Sequence, residues 1–190
     1  KGADYAPYAK WTYESAKLWP AFASMLLEQT GIDVALNQTG GYELFTDGEE
    51  WDDFAADLVK QKKILADKFE YQTIDGADMR SRFPAIGKGL IGATFSPHCG
   101  DVNPLRLLSA LRRYFLQLGG QLISDFSVSE INQISDEFVL KETRGRTVSC
   151  QRVLLCAGLG ADELGSQLGF STRVTPQRGQ LLITEKVMPD

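Results

Sequence analysis

The segment from Arg152 to Thr184 has the spacing with the clearest chemical meaning in this sequence. Its apolar run, Val153 to Cys156, predicts a short strand that is buried on both faces, as in a parallel sheet. The turn that follows, Ala157 to Gly160, has small side chains and lets another group approach the backbone closely. Turns of this kind at the carboxyl ends of parallel strands bind ligands in open α/β sheets. A tight strand-to-helix turn without any ligand explains the same residues equally well.

The two glycines of this turn, Gly158 and Gly160, match the start of the dinucleotide-binding fingerprint G-x-G-x-x-G. Glu163 occupies the position of the third glycine. A lone G-x-G is a weak signal, so we do not expect the main pyrophosphate site here. The sequence contains neither a P-loop nor a nucleophile elbow.

Three further side chains are candidates for contact with a ligand. Arg178 precedes Gly179 at the start of a predicted strand, where a cation can face a ligand, although a solvated arginine is an equal interpretation. Tyr42 either lines a pocket or packs against its neighbours, and the sequence does not decide between the two. Asp101 beside Gly100 is interpreted as a second helix cap in preference to a functional acid.

The sequence does not predict a metal site. His98 is the only histidine, and no ligand spaced from the pair His98-Cys99 completes a zinc set. The three cysteines, which include Cys150 and Cys156, form no C-x-x-C pair. Such usage is typical of a reducing compartment, so we expect a cytoplasmic protein.

The charge and the hydropathy of the chain exclude two classes of partner. Asp plus Glu number 25 and Lys plus Arg number 20, which gives a net charge of -5 without a basic cluster. Nucleic acid binding needs a concentrated basic face, so we expect no nucleic acid partner. No apolar run approaches the roughly 20 residues of a membrane span, and no signal peptide is visible.

Helical periodicity and capping residues predict four helices before the β-meander, and a short fifth helix after the Ala157–Gly160 turn, with Leu164 and Leu168 at i, i+4 and Gly169 as its stop. The first runs from Tyr8 to Gln29, where Pro20 indicates either a kink or the start of a second helix. Asp47 and Asp75 are predicted caps of the next two helices, and Asn103 followed by Pro104 opens the fourth. The buried face of the fourth helix is predicted at Leu105, Leu108, Leu111, Phe115 and Leu118.

Strand composition occurs in several stretches between and after these helices. A β-meander is predicted near the end of the chain, with turns at Ser135-Asp136 and Arg144-Gly145. Gln121 to Ile123 follows the fourth helix as a strand would in a βαβ crossover, and it should pair with Val153 to Cys156. The other predicted strands are Ile32–Leu36, Tyr42–Thr46, Leu90–Phe95, Val128–Ile134, Phe138–Glu142, Thr147–Ser149 and Gln180–Thr184.

Several stretches together resemble the glycine/D-amino acid oxidase-like (DAO) family of FAD-dependent oxidoreductases. One block, F-S-P-H-C-G-D-V-N-P-L-R-L-L-S-A-L, is similar to the family's G-x-V-x-P and the helix after it. R-V-L-L-C-A-G-L-G-A-D-E-L is similar to its V-V-x-A-x-G-x-W block, and V-T-P-Q-R-G-Q-L-L-I-T-E to its P-x-R-G-Q strand. The match runs from about Tyr8 to Glu185, and glycine oxidase and cyanide-synthase-type members look most similar.

The resemblance implies a mixed α+β fold. It would contain part of an FAD-binding Rossmann-like domain with a β-meander, together with part of an α+β substrate domain. Residues 1–95 would belong to the substrate domain, residues 96–170 to the FAD-binding domain, and residues 171–190 to a strand that re-enters the substrate domain.

The resemblance also assigns roles to a few residues. The backbone of Val128 would touch the adenine of FAD, and Ala157 and Gly158 would lie against the ADP part. Leu159-Gly160 stands where many members have a small residue and Trp, so the contacts just after the turn differ. Tyr42 and Arg178 are the candidate substrate-binding residues. We expect no catalytic acid or base in this chain.

Two parts of the family pattern are missing from this sequence. The strand with the full G-x-G-x-x-G fingerprint is absent, as is the later half that supplies arginines for the substrate carboxylate. We therefore expect the chain to be the middle of such an enzyme and to bind FAD weakly or not at all by itself. The parent would oxidise an amine or amino acid of the glycine, sarcosine or D-amino acid type by hydride transfer to the flavin.

Two other interpretations remain at this point. The chain could be a non-catalytic binding or assembly module that retains the fold, for which both homo- and hetero-oligomers stay open. It could also be an unrelated α/β domain, in which case Val153 to Cys156 would not pair with Gln121 to Ile123.

Overall fold

The computed structural model describes residues 5–180, apart from the side chains of Tyr5 and Asp67. Its backbone contacts divide the chain into two compact units, Lys1–Gln121 and Leu122–Asp190. The predicted strand Gln180–Thr184 lies, except for its first residue, outside the described part. The two units are described separately below.

The first unit combines helices with an antiparallel sheet. The sheet has the order β1-β3-β2, and Glu43 of β1 lies opposite Thr94 of β3. A short 3-10 turn, Ala66–Lys68, follows the second helix. The elements are α1 (Tyr5–Thr30), β1 (Gly41–Phe45), α2 (Gly48–Leu65), β2 (Gln72–Asp75), α3 (Gly76–Arg82), β3 (Gly92–Ser96) and α4 (Pro104–Gln117).

The caps of the helices agree with the sequence prediction. The carboxylates of Asp47 and Asp75 each accept hydrogen bonds from two backbone N–H groups in the first turns of α2 and α3. The side chain of Asn103 does the same for the N–H of Arg106, with Pro104 as the first helical residue. These local interactions set where three of the helices begin.

The first helix is continuous through Pro20. Of the two interpretations of this proline, a second helix that starts here is therefore wrong. The helix ends at Gly31, whose φ is +69° and whose N–H donates to the carbonyl of Leu27 over 2.7 Å. A left-handed glycine after the last turn is a common helix stop.

The buried face of α4 differs from the predicted one. The predicted face is exposed instead: Leu105, Leu108, Leu111, Phe115 and Leu118. The fully buried Ala110 packs with Leu107 and Tyr114 against Leu26 of α1 and Val34 of the loop after it. The helix carries apolar residues on two faces, so its periodicity alone could not indicate which face meets α1.

Two further clusters complete the core of the first unit. Ile74, Met79, Leu90 and Ala93 join α3 to β2 and β3. Leu58 and Leu65 of α2 pack on Phe69. The prediction of a strand at Ile32–Leu36 is wrong, since these residues have no strand structure. The residue after them, Asn37, makes an isolated bridge to Asp101.

The second unit begins with the predicted β-meander. β4 (Val128–Ile134), β5 (Glu137–Glu142) and β6 (Thr147–Cys150) are antiparallel neighbours in that order. The turns come at Ser135 and Gly145, both with positive φ. A register shift between Val128 and Glu130 makes a β-bulge at the start of β4. A 3-10 turn, Gly158–Gly160, then leads into the short helix α5 (Ala161–Ser166).

Two predicted strands of this region are not strands. Val153 to Cys156 has no regular secondary structure and pairs with no strand of the described part, and Leu154 is 87% exposed. Gln121 to Ile123 likewise pairs with none of the described strands, and Leu122 and Ile123 are exposed. An apolar run predicts burial, but a β-ladder also needs a neighbouring strand. The expected pairing between these two stretches therefore does not form.

Candidate functional site

The predicted ligand-binding turn lies beside a cavity in the second unit. The cavity has a volume of about 590 Å³, which is within the range of small-molecule sites. Its walls come from β4, from β5, from residues 153–157 at the turn, and from α5. Apolar side chains form most of the lining, among them Val128, Ile131, Leu140, Leu155 and Leu164.

The fold brings two of the predicted cofactor-binding residues together. Val128 at the start of β4 and Ala157 before the turn line the same cavity, although they are distant in sequence. Gly158 follows directly and has a φ of +56°, which explains why this position is glycine. No described atom lies within 4 Å of the place where a Cβ would stand on Gly158, so this side of the turn is open.

Gln167 connects α5 to the strand that supports Val128. Its Oε1 accepts the N–H of Ile131 over 2.9 Å, and its Nε2 donates to the carbonyl of Ser129 over 3.0 Å. The buried residues Ala161 and Gly165 give α5 a small-residue face. The sequence pattern does not single out Gln167, because nothing local links it to residues 36 and 38 positions away.

The segment after α5 is held by Asp162. Its Oδ1 accepts hydrogen bonds from the hydroxyl of Ser171 over 2.7 Å and from the N–H groups of Thr172 and Arg173. These bonds, that of Ser171 first, hold the pKa of the Asp162 carboxyl below its usual range. Asp162 is therefore charged at neutral pH and fixes the chain that leaves α5.

The resemblance implies FAD, and the cavity fits only one part of that molecule. Its apolar walls suit a flat adenine ring. Glu163 lines the cavity and adds a negative charge, which opposes a phosphate, and α5 has only 6 residues. A pyrophosphate needs a glycine turn and the N-terminus of a longer helix. The described residues therefore fit the adenosine part and not the pyrophosphate.

Tyr42 lies in the first unit, at a second cavity of about 470 Å³. Its ring makes an edge contact with Phe83 (5.7 Å between centroids) and a tilted contact with Phe95 (5.0 Å). The cavity lies where α1 and α2 face the sheet, and its lining includes Glu43 and Tyr13. Tyr42 thus both packs and lines a cavity, and the two interpretations of this residue are compatible.

His98 also lines this cavity and has a structural partner. Its Nε2 accepts the N–H of Glu70 over 3.1 Å, and its ring lies between those of Tyr13 and Phe69 at 5.1 and 5.8 Å. Within residues 5–180 no cluster of His, Cys, Asp and Glu is suited to a metal ion. The three cysteines are free thiols.

Two of the remaining candidates lie elsewhere. Arg178 is exposed in a coil of the second unit. Asp101 does not cap a helix, so that prediction is wrong: its carboxylate accepts from the side-chain amide of Asn37 over 3.2 Å, and the backbones of the two residues are bridged. The cap of α4 is Asn103 alone, because Asp101 already pairs with the loop before β1.

The whole chain matches one protein family. The family model described as FAD dependent oxidoreductase (DAO) matches residues 1–190. An opine oxidase subunit of Rhizobium meliloti is 31% identical over 189 residues, which are 98% of this chain and 50% of that relative. Glycine oxidase of Geobacillus kaustophilus (strain HTA426) is 30% identical over 185 residues, 97% of this chain and 48% of the relative.

A solved structure of the same kind supports the fold. The crystal structure of glycine oxidase from Geobacillus kaustophilus matches with a TM-score of 0.71 at 30% identity, over 83% of this chain and 42% of that one. The mixed α/β fold predicted from the sequence is thereby confirmed. The chain spans about half the length of the curated relatives it matches. In the part of the chain that the structure describes, every helix is too short or too polar to cross a membrane.

Proposed function

Because the chain belongs to the DAO family of FAD-dependent oxidoreductases, we propose that its parent protein oxidises a small amine or amino acid. The family match over the whole chain carries this proposal. An unrelated α/β domain predicts the missing pairing between Val153 to Cys156 and Gln121 to Ile123, but the family match outweighs that observation. Two of its relatives are, by name, a glycine oxidase and a subunit of an opine oxidase. The proposed substrates are therefore compounds of the glycine, sarcosine, D-amino acid or opine type.

The second unit would hold the adenosine part of FAD. The backbone of Val128 and the turn at Ala157 and Gly158 are the proposed contacts. The position of Val128 and Ala157 at one apolar cavity supports this role, and Gly158 follows Ala157 directly. The flavin, when bound, accepts the hydride from the substrate C–H next to nitrogen. The residues of this chain would orient the nucleotide and exclude water from it, while other parts of the parent would bind the pyrophosphate.

Tyr42 and Arg178 are the proposed substrate-side residues. The position of Tyr42 at the cavity of the first unit supports its role. An exposed guanidinium such as that of Arg178 can pair with a carboxylate. We keep the proposed domain division into residues 1–95, 96–170 and 171–190. We also keep a cytoplasmic location, which the free cysteines support.

The test is a flavin spectrum of the protein expressed from its complete reading frame. The purified protein should show the absorbance of oxidised flavin, and anaerobic addition of glycine, sarcosine, a D-amino acid or an opine should bleach it. A buffer blank and an L-sugar are the controls. A protein that binds flavin but is bleached by none of the amines would refute the proposed substrate class.

A non-catalytic subunit is the second candidate. The observation that favours it is the similarity to a protein named as one subunit of an opine oxidase, since one subunit of an assembly can retain a fold without its chemistry. The complete reading frame distinguishes the two: a G-x-G-x-x-G strand upstream supports the enzyme. A protein without that strand, and without flavin absorbance, would support the non-catalytic subunit.

A further inference from the structure

The side chain of Gln167 occupies the outer edge of β4. Its Oε1 accepts the N–H of Ile131 and its Nε2 donates to the carbonyl of Ser129, at 2.9 and 3.0 Å. The amide of Gln167 thus bonds to one N–H and one carbonyl on residues two apart, as a residue of a neighbouring strand does in a sheet. Since β4 is the first strand of its sheet, the amide of Gln167 takes the place of a strand that the edge lacks.

This contact lies next to the proposed adenosine site. Ser129 follows Val128 directly and stands inside the β-bulge of β4. The backbone of Ile131 is nearly inaccessible, with the residue only 2% exposed, and its side chain lines the cavity. A change at Gln167 therefore acts on the strand segment that presents Val128.

Gln167 also fixes the opposite wall of the cavity. It follows α5, which carries the lining residue Leu164 and continues the turn of Ala157 and Gly160. A helix of 6 residues is not stable alone, so its position depends on contacts such as this one. The side chain of Gln167 thus connects the two walls of the cavity.

We propose that Gln167 is a positioning residue for the adenosine part of the cofactor, acting through the backbone of β4. The inference rests on the proposed function, since it requires that the cavity holds a nucleotide. Gln167 itself is not among the residues that line the cavity. Loss of the amide should widen the cavity and weaken nucleotide binding, while the chemistry of the bound flavin stays the same.

The experiment uses the protein from the complete reading frame, stripped of cofactor. Gln167→Leu removes both hydrogen bonds at similar volume, and Gln167→Glu retains the acceptor but loses the donor. The matched control is Gln133→Leu, because Gln133 is an exposed residue of the same strand. Binding of FAD and of ADP is measured by fluorescence quenching and calorimetry, and kcat is measured at saturating FAD.

We expect Kd for both FAD and ADP to rise about tenfold in Gln167→Leu, the size of two neutral hydrogen bonds lost. Gln167→Glu should show a smaller rise in Kd, and Gln133→Leu should leave Kd unchanged. In all variants kcat at saturating FAD should equal that of the unsubstituted protein. Unchanged Kd values in a folded Gln167→Leu protein would overturn the proposal. A fall of kcat at saturating FAD in both variants would also overturn it, since Gln167 would then serve the fold as a whole.

The same experiment separates this inference from the proposed function. If the unsubstituted protein binds neither FAD nor ADP, the proposed function fails and this inference fails with it. If it binds both and the Gln167 variants bind equally well, only the inference fails. The thermal unfolding of each apoprotein shows whether the variant is folded. If Gln167→Leu is not folded, the Kd values of Gln167→Glu decide the outcome.

Discussion

Glu142 is a buried charged residue with a structural role in the second unit. It is only 1% exposed and accepts hydrogen bonds from Nε and Nη2 of Arg146 over 2.7 and 3.1 Å. Arg146 also donates to the carbonyl of Asp125 and lies over the ring of Phe126. The Arg146 hydrogen bond holds the pKa of the Glu142 carboxyl below its ordinary value. The pair closes the turn between β5 and β6.

We expect Glu142 to make the protein less stable in acid. A carboxyl with a lowered folded pKa contributes stability above its ordinary pKa, near 4.5, and loses it as the pH falls through the folded value. At neutral pH, Glu142→Gln should therefore unfold at a lower urea concentration than the unsubstituted protein. The difference between the two urea midpoints should become smaller in acid. Glu137→Gln, on the same strand and exposed, is the control. A difference in urea midpoint that is independent of pH would contradict this role.

Ala157 offers a direct test of the cofactor cavity. Ala157→Leu places extra carbons where the proposed adenosine lies, so Kd for FAD should rise by about tenfold or more. The residue is exposed, so the melting temperature of the apoprotein should change little. Ala77→Leu, at an exposed alanine of α3, is the matched control for both measurements. Equal FAD affinity in the two variants would argue that the nucleotide binds elsewhere.

Among the elements, α4 shows how one helix can carry two apolar faces. One face packs Ala110 against α1, and the other exposes a row of leucines, of which Leu105 is 75% and Leu108 is 65% accessible. Both faces satisfy helical periodicity. Contacts with α1 therefore determine which of the leucines contribute to the stability of the first unit.

Two matched substitutions measure this difference. Leu26 of α1 is fully buried in the cluster with Ala110, so Leu26→Ala should cost about 2 to 5 kcal/mol of unfolding free energy. Leu108→Ala, on the exposed face, should change it by less than about 0.5 kcal/mol. Urea unfolding of both variants provides the values. Equal costs would show that the exposed face of α4 is buried in the protein in solution.

At the scale of the whole molecule, the proposed nucleotide site would be divided between this chain and other parts of the proposed parent. The cavity of the second unit has apolar walls for adenosine, but Glu163 and the short α5 offer nothing to a pyrophosphate. The chain also spans only about half the length of its relatives. The affinity for FAD should therefore depend on residues outside these 190.

We expect the 190-residue chain alone to purify without flavin absorbance, whereas the protein from the complete reading frame should purify yellow. Titration with FAD, followed by fluorescence quenching, compares the two. The physical reason is that the pyrophosphate of a dinucleotide binds at a glycine turn and a helix N-terminus, which the described residues of this chain do not supply. Micromolar affinity of the short chain for FAD would contradict this division of the site.

Local chemistry makes much of the fold predictable. The caps at Asp47, Asp75 and Asn103 depend on side chains that bond to backbone groups two or three residues away. The β-meander depends on turn residues between short strands. The grouping of Val128 with Ala157 comes from the family resemblance and not from spacing, and the structure places both at one cavity.

The wrong predictions mostly concern contacts between distant residues. The Val153 to Cys156 run predicts a buried strand, but pairing requires a second strand. The buried face of α4 depends on where α1 lies. Gln167 carries no signal in the sequence, because its partners on β4 are 36 and 38 residues away. A sequence pattern does not indicate such partners, since each element satisfies its own periodicity in more than one arrangement.

The turn from Ala157 to Gly160 has some features that the sequence determined and others that only the tertiary structure decided. The sequence by itself determined that this turn has small side chains, that Glu163 stands where a third fingerprint glycine would lie, and that the chain resembles a flavoprotein family. Only the tertiary structure decided that the turn lies beside Val128 and that Gln167 holds α5 to β4. The physical reason is that residue types act locally through size, charge and dihedral preference, whereas a cavity exists only after separate segments have packed together.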